Sequence, residues 1–256
     1  MNNSQGNIIV TAPFNKYPNL KATVFNEISG FDNVQPNKVY IRDNYKPIKE
    51  TKVLIDTDTK NQAEIIEAYK FKNSYNIKDE VAINLLNKIL GGTSSSRLFN
   101  DLREKQQLAY HVGSSVSYFD NTGILILNIG TTTENKETNE ISYDNVQKSI
   151  NGFNKHINRI KTEKVSQEEL QAAKLSYKNA LLSNSETNVD KTEAISINSF
   201  YGPLTINEIL KVIDEITVDD IYNAANYVLA GKPTYSILAT ENTLKANEQY
   251  LKDLAV

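Results

Sequence analysis

A chain of 256 residues with 39% hydrophobic content can bury a full core, which bounds it to one large domain or one domain with a fragment of another. The net charge of −3 argues against nucleic acid as a partner, because phosphate binding needs a basic face. The absence of cysteine excludes disulfides and thiolate chemistry, and the absence of an apolar run of about 18 residues predicts no membrane span.

The N-terminal region predicts a strand over residues 7–12 and a helix over residues 20–28 that ends at Gly30. A polar stretch with Pro36 and Pro47 follows and is typical of a linker. The first six residues carry neither the basic nor the apolar region of a secretion signal. The composition favours neither the cytoplasm nor the cell envelope.

Strands and short helices alternate in the middle of the chain. Residues 52–56 and 62–71 predict strands, and residues 79–90 predict a helix that ends at Gly91-Gly92. Residues 91–112 then predict a short amphipathic helix that leads directly into a strand. Three serines before that helix, Ser94, Ser95 and Ser96, are expected to cap it.

A β-hairpin is predicted next, from residues 109–119 and 123–130 across the turn at residues 120–123. The run Ile124-Leu125-Ile126-Leu127 is apolar on both faces, which predicts a central strand covered on both sides.

The C-terminal part is mainly helical. Apolar residues from Tyr143 to Ile160 form one continuous helical stripe, and a last strand over residues 235–239 precedes a terminal helix that starts near Leu244. Gly202-Pro203 is expected to break one helix. The capping-box pattern occurs three times, at Ser166–Glu169, at Thr205–Glu208 and, with Asp replacing Glu, at Thr217–Asp220.

An internal similarity suggests the domain organisation. Residues 8–12 and 20–22 resemble residues 235–239 and 244–246, about one domain length further on, although such short matches also arise by chance. The repeat predicts that residues 1–35 are the terminal strand and helix of a preceding homologous domain, that residues 36–50 are a linker, and that residues 51–256 form the complete domain.

Metal and nucleophile sites are not predicted within this chain. The two histidines, His111 and His156, belong to no H-E-x-x-H or H-x-x-E-H motif, so both are interpreted as surface or hydrogen-bonded residues. No G-x-S-x-G pattern surrounds the three serines, and the glycine pair lacks the lysine of a phosphate-binding loop.

Arg103 and Tyr110 are the candidate substrate-binding residues. A guanidinium and a phenol on rigid elements can both donate hydrogen bonds to one peptide carbonyl or developing oxyanion. The alternative is a surface salt bridge from Arg103 to Asp101 or Glu104, with Tyr110 filling a strand face.

The stretch from Leu90 to Tyr110 resembles the second domain of the pitrilysin/insulinase-type zinc metallopeptidases, which include mitochondrial processing peptidase. The resemblance extends over roughly residues 50–243 and includes the hairpin, the Ser166–Glu169 box and the run Ile213–Ile221. Residues 7–32 resemble the end of the preceding domain. The resemblance implies an α+β domain with a mixed, mostly antiparallel sheet backed by helices.

The same resemblance implies a divided active site. One half of such enzymes carries H-x-x-E-H and binds zinc, and the other half contributes an Arg and a Tyr spaced like Arg103 and Tyr110. The resemblance implies that this chain binds no cofactor, with zinc held by the other half, and that it has no catalytic residues of its own. It binds peptide and completes the site of a zinc-binding homologous domain or subunit. The alternative is an inactive structural or peptide-binding member, and a homo-oligomer is a further option for the isolated fragment.

Overall fold

The computed structural model describes residues 10–28, 45–74, 76–119, 121–135, 138–183, 187, 189, 192 and 205–255. Two compact units are present, one formed by Met1–Arg42 with Lys178–Leu210 and the other by Asp43–Tyr177 with Lys211–Val256. The helices and strands are α1 (Leu20–Ile28), β1 (Lys52–Thr57), β2 (Gln62–Lys72), α2 (Ile77–Leu90), a π-helix (Phe99–Lys105), β3 (His111–Tyr118), β4 (Thr122–Thr132), β5 (Glu134–Asn135), β6 (Glu140–Ile141), α3 (Asn145–Thr162), α4 (Gln167–Ser183), α5 (Ile206–Glu215), α6 (Val218–Val228), β7 (Thr234–Ala239), α7 (Glu241–Ala246) and α8 (Glu248–Leu254).

The second unit is built on a five-stranded sheet with the order β1-β7-β2-β4-β3. β1 runs parallel to β7, and every other neighbouring pair is antiparallel. The predicted α+β fold with a mixed, mostly antiparallel sheet is therefore confirmed. The strands predicted at residues 52–56, 62–71, 109–119 and 123–130 are also present, each with bounds within two residues of the prediction.

One face of the sheet forms the core. The odd-numbered residues of β2 and β4, such as Ile65, Phe71 and Leu127, are almost fully buried. Helices α2, α3 and α6 pack against each other or against this sheet. The stripe predicted from Tyr143 to Ile160 supplies the buried side of α3, including Ile150 and Phe153.

The other face is only partly covered by the described residues. Ile66 of β2 is 40% exposed and Leu54 of β1 is 59% exposed, while Ile124 and Ile126 of β4 are half-buried. The prediction that β4 is covered on both sides is therefore wrong, although its central position is correct. The apolar residues on this second face lie on a surface and do not belong to the core.

Helix starts follow the predicted chemistry in three places. Ser166 and Glu169 exchange reciprocal hydrogen bonds of 3.1 and 3.0 Å. Thr205 pairs with Glu208, and Thr217 with Asp220, in the same reciprocal way. Each pair satisfies backbone N–H groups that a helix start leaves without intrahelical partners.

The N-terminal predictions have mixed outcomes. Helix α1 spans the predicted residues, whereas residues 10–12 form no strand. Residues 7–9, Gly30 and Gly202-Pro203 lie outside the described residues. The predicted division into residues 1–35 of a preceding domain, a linker over residues 36–50 and a complete domain over residues 51–256 stays a prediction.

Candidate functional site

The short helix that carries Arg103 is a π-helix, a geometry that the sequence pattern did not predict. Its closing hydrogen bond runs from the Gln106 N–H to the Asp101 carbonyl, at 2.9 Å. Leu102 is fully buried and lies so close to Gly152 of α3 that a side chain at Gly152 would collide with it. Isolated π turns are rare and often occur at functional sites.

The segment between the π-helix and β3 is anchored at Leu108. The Leu108 N–H donates to the Leu102 carbonyl at 2.9 Å, and the Thr131 hydroxyl donates to the Leu108 carbonyl at 2.7 Å. Leu108 and Thr131 are buried. Gln107 has a φ of 52°, which lets the chain reverse between the helix and the strand. The backbone that carries both candidate residues is therefore fixed by core contacts.

Arg103 and Tyr110 both project to the surface. Tyr110 is 75% exposed, and its backbone N–H donates to the Gly130 carbonyl at 2.9 Å. The Arg103 guanidinium lies 4.9 Å from the centre of the Phe99 ring, which is cation–π distance. Among the described residues neither side chain forms a hydrogen bond or an ion pair. The Arg103 guanidinium and the Tyr110 hydroxyl are therefore both available to a ligand.

The structure does not support the alternative of a surface salt bridge from Arg103 and a Tyr110 side chain that fills a strand face. Arg103 makes no salt bridge to Asp101 or Glu104 within the described part of the chain, and Tyr110 does not pack into a strand face. β3 begins at His111, so Tyr110 lies immediately before the strand and not within it.

Asp101 connects the π-helix to helix α3. Its carboxylate lies 2.7 Å from His156 Nε2 and 2.7 Å from Lys155 Nζ, both on α3, and 3.0 Å from Gln106 Nε2. Burial raises the pKa of Asp101, but hydrogen bonds from Gln106, Lys155 and His156 outweigh it and hold that pKa well below its usual range. Sequence reasoning missed this anchor, because Asp101 and His156 are 55 positions apart and share no motif.

The neighbour of Tyr110 on β3 is also paired. His111 Nε2 lies 3.2 Å from a Glu64 carboxylate oxygen, and the His111 ring meets the Tyr110 ring edge-on at 6.4 Å. Gly130 lies on β4, between the β2 strand of Glu64 and the β3 strand of His111. A side chain at Gly130 would collide with the His111 ring. The tight fit around Gly130 keeps His111 and Glu64 beside the candidate tyrosine.

These histidine–carboxylate contacts do not make a metal site. Across the described residues, no group of three or more His, Cys, Asp or Glu side chains is positioned to hold a metal ion. His111 has one carboxylate partner and His156 has another, at separate places. The described residues therefore do not fit a catalytic zinc, which takes three protein ligands.

Gly91 has a structural role before the π-helix, whereas the serines there do not cap it. Gly91 lets the end of α2 approach β3, where the Ser114 N–H donates to the Gly91 carbonyl at 3.1 Å. The expected serine caps are wrong, because no side chain caps this helix. The Ser96 hydroxyl is buried without a partner among the described residues.

Comparison with known proteins identifies the class. The family model described as the peptidase M16 inactive domain matches residues 9–177, and the chain belongs to this family. The chain is 31% identical over 179 residues to an uncharacterized zinc protease of Rickettsia felis, a match that covers 69% of the chain and 41% of that protein. It is 24% identical over 193 residues to the probable inactive metalloprotease YmfF of Bacillus subtilis, with 75% of the chain and 42% of that protein covered.

Shorter and structural similarities agree with this class. The beta subunit of mitochondrial-processing peptidase from Saccharomyces cerevisiae is 32% identical over 111 residues, covering 43% of the chain and 24% of the subunit. The fold matches a protease from Helicobacter pylori with a TM-score of 0.68 at 19% identity, over 86% of the chain and 52% of that structure. It also matches a peptidase M16 inactive domain from Pseudomonas fluorescens with a TM-score of 0.63 at 20% identity, over 81% and 47%.

The chain spans about two fifths of the length of the first curated relatives it matches. It is consistent with the non-catalytic half of a zinc protease. No helix among the described residues is long and apolar enough to cross a membrane.

Proposed function

We propose that this chain binds peptide and completes the active site of a separate, zinc-binding half that carries H-x-x-E-H. Arg103 and Tyr110 are the residues that act in this role. The single observation that carries the proposal is the presentation of both donors on an anchored surface segment without competing partners among the described residues. The zinc relatives and the inactive-domain family support a division of labour between two halves.

Tyr110 acts on the oxyanion. When water adds to a peptide carbonyl, negative charge develops on the carbonyl oxygen, and a phenol O–H donates a hydrogen bond to it. Activation of the water belongs to the partner half, where zinc would supply Lewis-acid chemistry. Losing one such donor costs about 100- to 1,000-fold in turnover, or ~3 kcal/mol.

Arg103 acts on the substrate backbone. A guanidinium presents several N–H donors in a planar fork, which suits neighbouring peptide carbonyl oxygens. Contact with the Phe99 ring limits where this fork can move, so less conformational freedom is lost on binding. An alternative role is to orient the Tyr110 phenol, and the additivity of mutations separates the two roles.

The anchored segment explains why the donors would be effective. Leu102 and Leu108 hold the two ends of the segment in the core, and Thr131 holds its backbone. Preorganised donors stabilise a transition state without a reorganisation cost at the moment of reaction. Three pockets among the described residues, lined in part by Asp220, by Glu168 and by Lys232, include neither donor. In the proposed assembly, the partner half contributes to the cavity around the substrate.

A second candidate is an inactive structural or peptide-binding subunit. The similarity to the Bacillus subtilis protein named a probable inactive metalloprotease favours it. The two candidates differ in whether a zinc-loaded assembly hydrolyses peptide.

The test combines this chain with the zinc-binding polypeptide encoded beside it or upstream of it. Size-exclusion chromatography identifies the assembly, and a quenched fluorescent peptide library measures cleavage with and without a chelator. We expect chelator-sensitive cleavage by the assembly and none by either part alone. A zinc-loaded assembly that binds the peptides but cuts none of them supports the inactive alternative.

A further inference from the structure

A pocket at one end of the sheet is lined by four lysines. It lies where β2 ends and β7 begins, has a volume of about 570 Å³, and contains Lys49, Lys70, Lys72 and Lys232. We call it the lysine pocket. None of its described lining residues is acidic, and aromatic and aliphatic side chains form the remaining walls. Pockets of roughly 300–1,000 Å³ are the usual size for small-molecule sites.

Hydrogen bonds and ion pairs to the four ammonium groups are absent among the described residues. None of them forms an ion pair with any described residue, whereas lysines elsewhere, such as Lys78 and Lys164, pair with carboxylates. The whole chain has 31 acidic and 28 basic residues, so a concave surface with four lysines and no acid departs from its average. Lysines that line one concave surface carry like charges, and a bound anion would offset their mutual repulsion.

Hydrogen bonds connect the segments that surround the pocket. The Tyr227 hydroxyl donates to the Lys72 carbonyl at 2.7 Å, and the Tyr45 hydroxyl donates to the Lys70 carbonyl at 3.3 Å. The Lys232 N–H donates to the Ile48 carbonyl at 3.2 Å. The first two bonds join the end of β2 to α6 and to the segment before β1, and the third joins that segment to the loop before β7.

Aromatic rings fix the interior. Phe71 is 2% exposed and meets the Tyr227 ring edge-on at 6.4 Å, which makes a rigid wall. Lys70 Nζ lies 5.5 Å from the centre of the Tyr45 ring, so its ammonium group is held over an aromatic face. A lysine positioned in this way loses less side-chain entropy when an anion binds.

We propose that the lysine pocket binds a compact polyanion, a small molecule that carries at least two neighbouring phosphate or carboxylate groups. Lysine ammonium groups act as point charges that suit phosphate and carboxylate oxygens, and the apolar walls accept the body of the molecule. The size of the pocket favours a small molecule over a long acidic peptide. The site is independent of Arg103 and Tyr110 and does not rest on the proposed peptidase role.

The test is a calorimetric titration of the 256-residue chain with sodium tripolyphosphate and, separately, with citrate. The variant Lys70→Gln/Lys72→Gln/Lys232→Gln removes three positive charges from the pocket. The control Lys60→Gln/Lys211→Gln/Lys245→Gln removes the same charge from exposed positions elsewhere. Thermal unfolding of each variant checks folding, and the three single pocket variants carry the test if the triple variant melts early.

We expect saturable binding of at least one anion with one site per chain. The affinity should fall at least about tenfold in the pocket variant and change less than about twofold in the control, and the tighter anion identifies phosphate or carboxylate as the preferred group. The absence of saturable binding by both anions overturns the proposal. An equal loss of affinity in both variants also overturns it, because that result indicates diffuse electrostatic attraction.

Discussion

The Asp101 carboxylate and the His156 ring are 2.7 Å apart and join the π-helix that carries Arg103 to helix α3. His156 is almost fully buried, whereas the Lys155 side chain that shares the same carboxylate oxygen is largely exposed. Burial lowers the pKa of His156, against the hydrogen bond and charge of Asp101, which favour the protonated ring. The neutral ring therefore donates its Nε2 proton to Asp101 at neutral pH.

This pair makes the anchor sensitive to acid. Because the pKa of His156 is lower in the folded state, the unfolded chain binds more protons once the pH drops below about 6.5. Stability is then lost as the pH falls through that range. The depressed pKa of Asp101 acts in the same direction at lower pH, because its contribution is present above the unfolded value of about 3.9 and disappears below it.

The substitution His156→Gln tests this assignment. Glutamine can donate to Asp101 from the position of Nε2 but does not titrate, so we expect a smaller loss of thermal midpoint between about pH 7 and pH 5 than in the wild type. His156→Asn is the control, because its shorter amide does not reach Asp101 and should destabilise the protein across the whole range. A His156→Gln variant with the full wild-type acid sensitivity argues against a titrating His156.

The buried carboxyl of Glu67 predicts the opposite pH dependence. Glu67 is fully buried, and burial, opposed by hydrogen bonds from Tyr69 and Tyr235, raises its pKa to about 7. The Tyr69 hydroxyl donates to it at 2.6 Å. Because the folded pKa lies above the unfolded value, this contribution is present below about pH 4.3 and is lost as the pH rises towards 7.

Replacing this carboxyl by an amide should therefore remove the effect. We expect the gain in unfolding free energy of Glu67→Gln relative to wild type to be larger at about pH 8 than at about pH 5, by on the order of 2 kcal/mol. Urea unfolding at the two pH values measures the difference. An equal change at both values contradicts a raised pKa for Glu67.

Gly91 is required by the close contact of α2 with β3. A Cβ placed there would lie 2.6 Å from the Ser114 backbone nitrogen and 2.8 Å from the Gly113 carbonyl carbon. Backbone atoms of β3 are held by its hydrogen bonds to β4 and cannot move away easily, so Gly91→Ala should cost about 1–3 kcal/mol. Gly231→Ala is the matched control, because its Cβ would meet backbone oxygens at 3.6 and 3.7 Å, which is ordinary contact. Equal thermal midpoints for the two variants contradict this account of Gly91.

The roles of Arg103 and Tyr110 should be separable in the assembled enzyme. No hydrogen bond links the two side chains among the described residues, which favours a direct contact of Arg103 with the substrate backbone. Arg103→Gln should then raise KM, and its loss in kcat/KM should add to that of Tyr110→Phe in the double variant. A strongly non-additive double variant supports an orienting role for Arg103. Arg159→Gln, at another exposed arginine, is the control.

Local patterns in the sequence predicted most of this fold, because they act over a few residues. The three capping boxes, the β3–β4 hairpin and the stripe of α3 each depend on short-range chemistry and appear as expected. The open face of β4 was not predicted, because an apolar strand looks the same whether its second face is covered or exposed.

The candidate site shows the same limit. Arg103 and Tyr110 were predicted from their donor chemistry on rigid elements and from the family resemblance. Both side chains are exposed, and their role stays a prediction. The π geometry depends on Asp101, which bonds to Gln106 nearby and to His156 on a distant helix. A contact between residues so far apart leaves no periodic signal in a single sequence. The lysine pocket likewise forms only when β2, β7 and the segment before β1 come together.

The most direct measurement of the central claim is the turnover of Tyr110→Phe in the zinc-loaded assembly, with Tyr17→Phe as a control at another exposed tyrosine. The account predicts a fall in kcat of about 100- to 1,000-fold for Tyr110→Phe, because the proposed hydrogen bond to the oxyanion is lost. Zinc content, assembly and thermal midpoint should stay unchanged, because the phenol is exposed. Turnover by Tyr110→Phe within about twofold of the control would contradict the role given to this residue.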